Sequence, residues 1–343
     1  MTKLNDDPRV DPRIKAILGQ VPVPAQTDVA DRDALLAEAH SPDGLAVREM
    51  ADSLMDTLDN EQLAPAEGLA IRTVEFESKP DGNTVKLLVM RPEGDERLPG
   101  LYYIHGGGMQ SMSTFNGMYR TWGRLLAHQG VVVAMVDFRN ALYASSAPEV
   151  EPFPAGLNDC VSGLRHVVGH ADEFGIDAVR VVVAGESGGG NLALATGMQL
   201  VRDGDIALIS GIWALCPYIA GEWPQDRFAS SIENNGLLLD LHNNRGKHVY
   251  GIDAFDEGNP LAWPSFATEA DVREFPPTVI SVNECDPLRD EGIDFYRLLL
   301  RAGVAARCRQ AMGTIHGTEI FTASCPDISA ECASSIAHFA RTT

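Results

Sequence analysis

The chain predicts an α/β fold, a mostly parallel β-sheet flanked by helices and carrying a helical cap. Three observations point there. Strand-length apolar runs alternate with helix-length segments from LPGLYYIHGGG to AARCRQAMG. Several runs, such as VVVAMVDFR and VRVVVAGES, are almost continuously apolar, as strands buried on both faces must be. An Asn-, Gly- and Trp-rich stretch at 218–260 breaks the rhythm.

Taken in order, residues 1–60 read as short amphipathic helices: DPRIKAILG, then DRDALLAEAH after the proline-bearing VPVPAQT, then AVREMADSLMDTLDN. Near residue 71 the period changes to two. IRTVEFES alternates, PDGNT supplies a turn and VKLLVMRP returns, which predicts a hairpin. Strands follow at LPGLYYI, VVVAMVDFR, VRVVVAGES, ISGIWALCP, PPTVISVNE and AARCRQAMG. Helices are expected at YRTWGRLLAHQG, GLNDCVSGLRHVVGHADEFG, GGGNLALATGMQLVRDG and DEGIDFYRLLLRAG. The expected partition is a core at 61–217 and 261–343, with cap pieces at 1–60 and 218–260.

Composition bounds the function. The chain has 343 residues, 45% of them hydrophobic, enough for a large core. Asp plus Glu is 48 against 27 Lys plus Arg, a formal net charge of -21. That charge argues against nucleic acid as a partner and is repelled by anionic membranes. The opening MTKLNDDPRVDPRIKAILG has no long apolar h-region, and no run of 18 apolar residues occurs. Six scattered cysteines, with no CxxC pair, read as reduced core thiols. The expectation is a cytoplasmic protein without membrane insertion.

The stretch VVVAGESGGGNLALA turns directly from an apolar run into a helical pattern through a lone Ser187. A sharp strand-to-helix turn needs small residues two positions either side of its pivot, here Gly185 and Gly189. The pivot then stands at the carboxyl end of the sheet, where a helix N-terminus aims free N–H groups. Upstream, HGGG follows a strand, and its glycines let backbone amides approach a ligand. Gly107, Gly108 and Gly188 are the candidate oxyanion donors, with His105 read as a structural support of the loop.

An orienting acid is expected after a later strand. NECDPLRDEG offers Glu284, Asp286, Asp290 and Glu291. Asp286 is favoured because it comes first past the strand end and Pro287 stiffens its turn. Asp290 and Glu291 read as start-of-helix acids. His316, in the loop after the last strand, is the candidate base. The other histidines fall on surface helices, on the helix after FPAG, in the cap or in the final helix. Ser187, Asp286 and His316 form a nucleophile, orienting acid and base in the order Ser–Asp–His. The His and Cys spacings show no zinc site, and no GxGxxG follows HGGG. No metal or cofactor is expected.

These pieces together resemble the bacterial hormone-sensitive-lipase-like family of α/β-hydrolases over about residues 70–335. The motifs are His105-Gly106-Gly107-Gly108, Asp137-Phe138-Arg139, Glu151-Pro152-Phe153-Pro154-Ala155, the Ser187 elbow, Asp286-Pro287-Leu288-Arg289-Asp290 and His316-Gly317. The resemblance implies a carboxylesterase active on short acyl chains, a cap built from the N-terminus and an insertion, and a homodimer. It also implies that Asp159 supports the region near the nucleophile. Three positions depart from the family pattern: Glu186 where Asp is usual, Gly188 where Ala is usual, and Thr318 where an aromatic is usual.

Met109, Met112, Phe115, Trp213, Tyr218, Trp223 and Phe228 are candidates to line the pocket. Met109, Trp213 and Tyr218 are favoured. Nothing cationic stands out to bind a substrate anion, so neutral short-chain or aromatic esters are the expected small-molecule substrates. Two other readings use the same residues: a non-catalytic small-molecule receptor, and an acyltransferase or amidase. The intact triad argues against the receptor.

Overall fold

A computed structural model describes residues 3–21 and 23–343. Met1, Thr2 and Pro22, part of the expected 1–60 cap segment, lie outside the described residues. Eight strands form one sheet: β1 (Leu69–Glu77), β2 (Thr84–Pro92), β3 (Leu98–Ile104), β4 (Val132–Asp137), β5 (Ile176–Glu186), β6 (Gly211–Leu215), β7 (Thr278–Asn283) and β8 (Ala306–Ala311). The order is β1-β2-β4-β3-β5-β6-β7-β8. β1 and β2 form the hairpin, with Glu77 opposite Thr84. β2 also runs antiparallel to β4, and every pairing from β4 onward is parallel.

The near-continuous apolar runs are explained by burial on both faces. Along β3, Tyr102 and Ile104 join one apolar cluster with Phe76 and Leu157, while Leu101 and Tyr103 join the other with Trp122 and Phe339. Burying each such side chain contributes about 1.5–3 kcal/mol. Helices Gly117–Ala127 and Pro326–Thr342 supply residues to the second cluster, and helices Ala155–Gly169 and Gly188–Asp203 to the first.

The parallel strands end together at one edge of the sheet. Ser187 follows β5 directly, Asp286 lies three residues past β7, and His316 lies five past β8. The N-terminal helices begin on side-chain caps: Asp31 accepts from Ala34 N at 2.8 Å and Ser41 from Gly44 N at 3.1 Å. Their segment is tied to the insertion over the same edge. Gln26 N donates to Asp240, Asn244 Nδ2 donates to Val29 O, and Arg245 pairs with Glu38 at 2.7 Å.

Candidate active site

The turn at Ser187 is strained. Its φ is 57° and ψ −120°, a conformation that residues with a Cβ rarely adopt. A Cβ at Gly189 would run into Ile104 O, and one at Gly185 into Gly189 O, so both flanking positions require glycine. Met109, Met112 and Cys216 are the other non-glycine residues with positive φ among the described residues. Backbone strain in this chain thus gathers beside the nucleophile candidate, as it does at functional sites generally.

The HGGG loop folds over the elbow. Gly107 and Gly108 have φ of 93° and 63° and line the same cavity as Ser187. A Cβ at position 188 would sit 2.5 Å from Met109 N and 2.8 Å from Gly108 Cα. This close approach is the physical reason for Gly188 where the resembling family has Ala. Gly188→Ala should push the loop away from the helix start and lower kcat by about tenfold or more, with KM much less affected. Steady-state kinetics on a soluble ester checks this.

Ser187, His316 and Asp286 are brought together. His316 Nε2 lies 2.9 Å from Ser187 Oγ, and Nδ1 lies 2.8 Å from Asp286 Oδ2. Asp286 is fully buried, and its Oδ1 accepts from Leu288 N. Burial alone would push the imidazole pKa down. The Asp286 charge outweighs it and holds His316 well above the usual 6.5. Thr318 closes the loop by exchanging hydrogen bonds with Ile315 N and O.

The three competing acids are engaged elsewhere. Glu284 accepts from Gly313 N at 2.7 Å. Asp290 accepts from Ser230 N and pairs with Arg289. Glu291 is buried and accepts from Ile219 N, Ala220 N and Trp223 Nε1. His105 is buried, stacked on Phe138 at 4.3 Å, and its Nδ1 faces Gly106 O. Burial pushes its pKa down, which keeps it neutral beneath the loop. Asp159 pairs with Arg139 and accepts from Ser78, bracing the segment after β4.

Glu186 is a hub that sequence reading passed over. Its carboxylate accepts from Gly106 N at 2.6 Å, Tyr119 Oη at 2.5 Å and Tyr103 Oη at 2.6 Å. It therefore joins the elbow to the HGGG loop and to helix Gly117–Ala127. Burial pushes its pKa up to about 7 even against these three donors. The available signal was only the acid beside the elbow, since its tyrosine partners are 83 and 67 positions away.

Cys216, Asp286 and His316 place ligand-type atoms within 4.8 Å of one another. Both nitrogens of His316 already face Asp286 and Ser187, and burial pushes the Cys216 thiol up to about 11. A metal there would have to displace those hydrogen bonds and deprotonate the thiol, so these residues do not fit one.

A cavity of about 380 Å³ opens on Ser187, with Met55, Met112, Leu238, Leu239, Ile320 and Phe321 among its walls. Tyr218 and Met112 line it as expected. Met109 and Trp213 do not, and these two expectations are corrected. Met109 is 1% exposed, turned into the core by its positive φ. Trp213 has the opposite strand parity and packs edge-on against Phe339 of the last helix at 5.5 Å. Phe115 lines a separate surface cavity, Trp223 is held against Glu291, and Phe228 is buried. The sequence reading did not single out Met55, Leu238, Leu239, Ile320 and Phe321, which come from distant helices and loops.

The fold, with a serine at a strand-to-helix elbow, is that of a hydrolase class, and comparisons with known proteins agree on the fold and on esterase relatives. The family described as alpha/beta hydrolase fold matches residues 101–320. A solved structure of esterase Est22 is 59% identical, covers 99% of this chain and 100% of that one, and superposes with a TM-score of 0.97. Brefeldin A esterase, described as a bacterial homologue of human hormone sensitive lipase, is 35% identical over 98% of this chain and 94% of its own, with a TM-score of 0.88. Esterase LipI of Mycobacterium tuberculosis is 30% identical over 64% of this chain, and the match spans 65% of LipI, just under two thirds of its length. The chain belongs to the α/β-hydrolase family and, within it, to the hormone-sensitive-lipase-like carboxylesterases.

Proposed function

We propose that the chain hydrolyses neutral short-chain or aromatic carboxylic esters through an acyl-enzyme on Ser187. The observation that carries this reading is the unbroken hydrogen-bond chain Ser187 Oγ–His316–Asp286, at 2.9 and 2.8 Å. His316 Nε2 takes the Ser187 proton as Oγ attacks the ester carbonyl carbon. Asp286 holds the tautomer and stabilises the imidazolium. The oxyanion is met by the N–H groups of Gly107, Gly108 and Gly188, each worth roughly 3–4 kcal/mol in the transition state. Collapse breaks the bond to the alkoxide, which leaves with the proton from His316. Water, activated by the same imidazole, then cleaves the acyl-enzyme.

The cavity supports neutral substrates. Its walls are largely apolar, Glu186 is among them, and the whole chain is strongly acidic. No Lys or Arg is among its described lining residues to meet a substrate carboxylate. Residues 1–60 and 218–260 act in this reading as the cap over Ser187. A homodimer and a cytoplasmic location complete it. β8 leaves one sheet edge unpaired within the chain, and all six cysteines are free thiols. Among the described residues no helix is long and apolar enough to cross a membrane.

Turnover on p-nitrophenyl esters of graded acyl length tests the reading. A pocket of this size should favour acyl chains of about two to six carbons. A maximum at long chains, or binding without turnover, would contradict it. The same assay carries a pH prediction. Only neutral imidazole accepts the serine proton, so kcat/KM rises with pH through the pKa of His316. Since Asp286 holds that pKa above 6.5, the acid limb should have its midpoint above 6.5. A midpoint below that value would contradict the coupling to Asp286.

A further inference from the structure

A second cavity, of about 620 Å³, adjoins the one at Ser187. The two share Gln110, Tyr218 and Leu241 as a common wall. The inner walls are largely apolar, whereas the outer chamber lies between residues 26–47 and 240–246 and presents Glu38, Asp43 and Asp240. Arg245 is the one cationic side chain among its described lining residues, and Glu38 and Thr27 O already engage it. Carboxylates outnumber cations among its described lining residues, and it offers no unpaired positive charge to an anion.

The shared wall holds a polar group without a partner. Tyr218 is 5% exposed, and its Oη has no hydrogen-bond partner among the described residues. The ring is clamped. It stacks on Trp223 at 4.6 Å, meets Trp263 edge-on at 5.7 Å, and closes on Gly246 so tightly that a Cβ there would run into Oη. Such a ring cannot swing its hydroxyl to another partner. The Gln110 side-chain amide, on the same wall, likewise has no partner among the described residues. Tyr218 N donates to Ser187 O at 3.0 Å, so this wall stands next to the nucleophile. The phenol oxygen and the half-buried amide thus face the shared cavity with no protein partner, and a ligand hydroxyl can take the place of water on both.

The geometry points to a two-part substrate: an ester whose reacting end sits in the inner cavity and whose other end, neutral and hydroxyl-bearing, passes Tyr218 and Gln110 into the outer chamber. This rests on the ester-hydrolase reading. The hydroxyls belong to either the alcohol or the acyl portion, and the test separates the two.

The test compares kcat/KM for isosteric pairs. In the alcohol arm, glycerol monobutyrate is paired with the branched alkyl butyrate that has methyl groups in place of its hydroxyls. In the acyl arm, the methyl ester of a dihydroxybutyric acid is paired with its branched alkanoate isostere. Tyr218→Phe should lower the hydroxylated-to-alkyl ratio about tenfold in one arm, which identifies the hydroxylated side, and Gln110→Leu should lower it in the same arm. Ratios unchanged within about twofold in both arms, for both variants, would overturn the inference while the ester-hydrolase reading stands. Butyrylcholine cleaved faster than glycerol monobutyrate would overturn the assignment of a neutral polyol. Wild-type protein that cleaves none of these esters, nor any p-nitrophenyl ester, would sink the ester-hydrolase reading itself.

Discussion

Replacing Ser187 with alanine should lower kcat by about 10⁴–10⁶-fold and leave the fold intact. The loss is large because no neighbour can substitute. Cys216, a nearby nucleophilic side chain, is fully buried and its thiol is pushed up to about 11, so it is neutral at working pH. The variant keeps the glycine amides and the cavity, and with them some residual catalysis over water. Ser187 Oγ contributes one hydrogen bond, to His316, and its backbone remains held by Leu215 O. A melting temperature close to wild type, together with loss of turnover, is the expected pair of results.

Asp286→Asn should cost about 10⁴-fold in kcat. An amide NH₂ facing Nδ1 makes that nitrogen the acceptor, which places the imidazole proton on Nε2. The ring then cannot receive the Ser187 proton. The substitution preserves shape, and the contact from Leu288 N to Oδ1 survives. The acid limb should also move to lower pH, because the charge that raised His316 is gone. Glu284→Gln serves as the control. Its carboxylate accepts from Gly313 N and sits away from His316, so turnover should change by less than about tenfold. If Glu284→Gln gave the large loss and Asp286→Asn the small one, the acid would be misassigned.

Much of the sheet was legible because strand periodicity and turn chemistry are local. IRTVEFES, PDGNT and VKLLVMRP become β1, a turn and β2. The residues that meet at the site were legible for a related reason. In a parallel sheet, loops after successive strands converge at one edge, so Ser187 after β5, Asp286 after β7 and His316 after β8 are placed together by topology.

The pocket was less legible because it depends on parity and distant packing. GIWAL is apolar throughout, and a run without alternation does not say which face Trp213 takes. It faces the last helix. Met55 and Leu238 reach the cavity from a helix and a loop 183 positions apart, the difference of their numbers. Glu186 shows the same limit. Its place before Ser187 was visible, but its role in joining the HGGG loop to the elbow arises only when Tyr103 and Tyr119 fold around it.

The central claim is that Ser187 carries the acyl group. The most direct measurement is intact-mass and peptide mapping of the full chain after reaction with a p-nitrophenyl phosphonate. The account predicts a single adduct per chain, on Ser187, formed with release of one equivalent of p-nitrophenol and absent in Ser187→Ala. An adduct on another residue, or pure Ser187→Ala protein that still turns over esters at the wild-type rate, would contradict it.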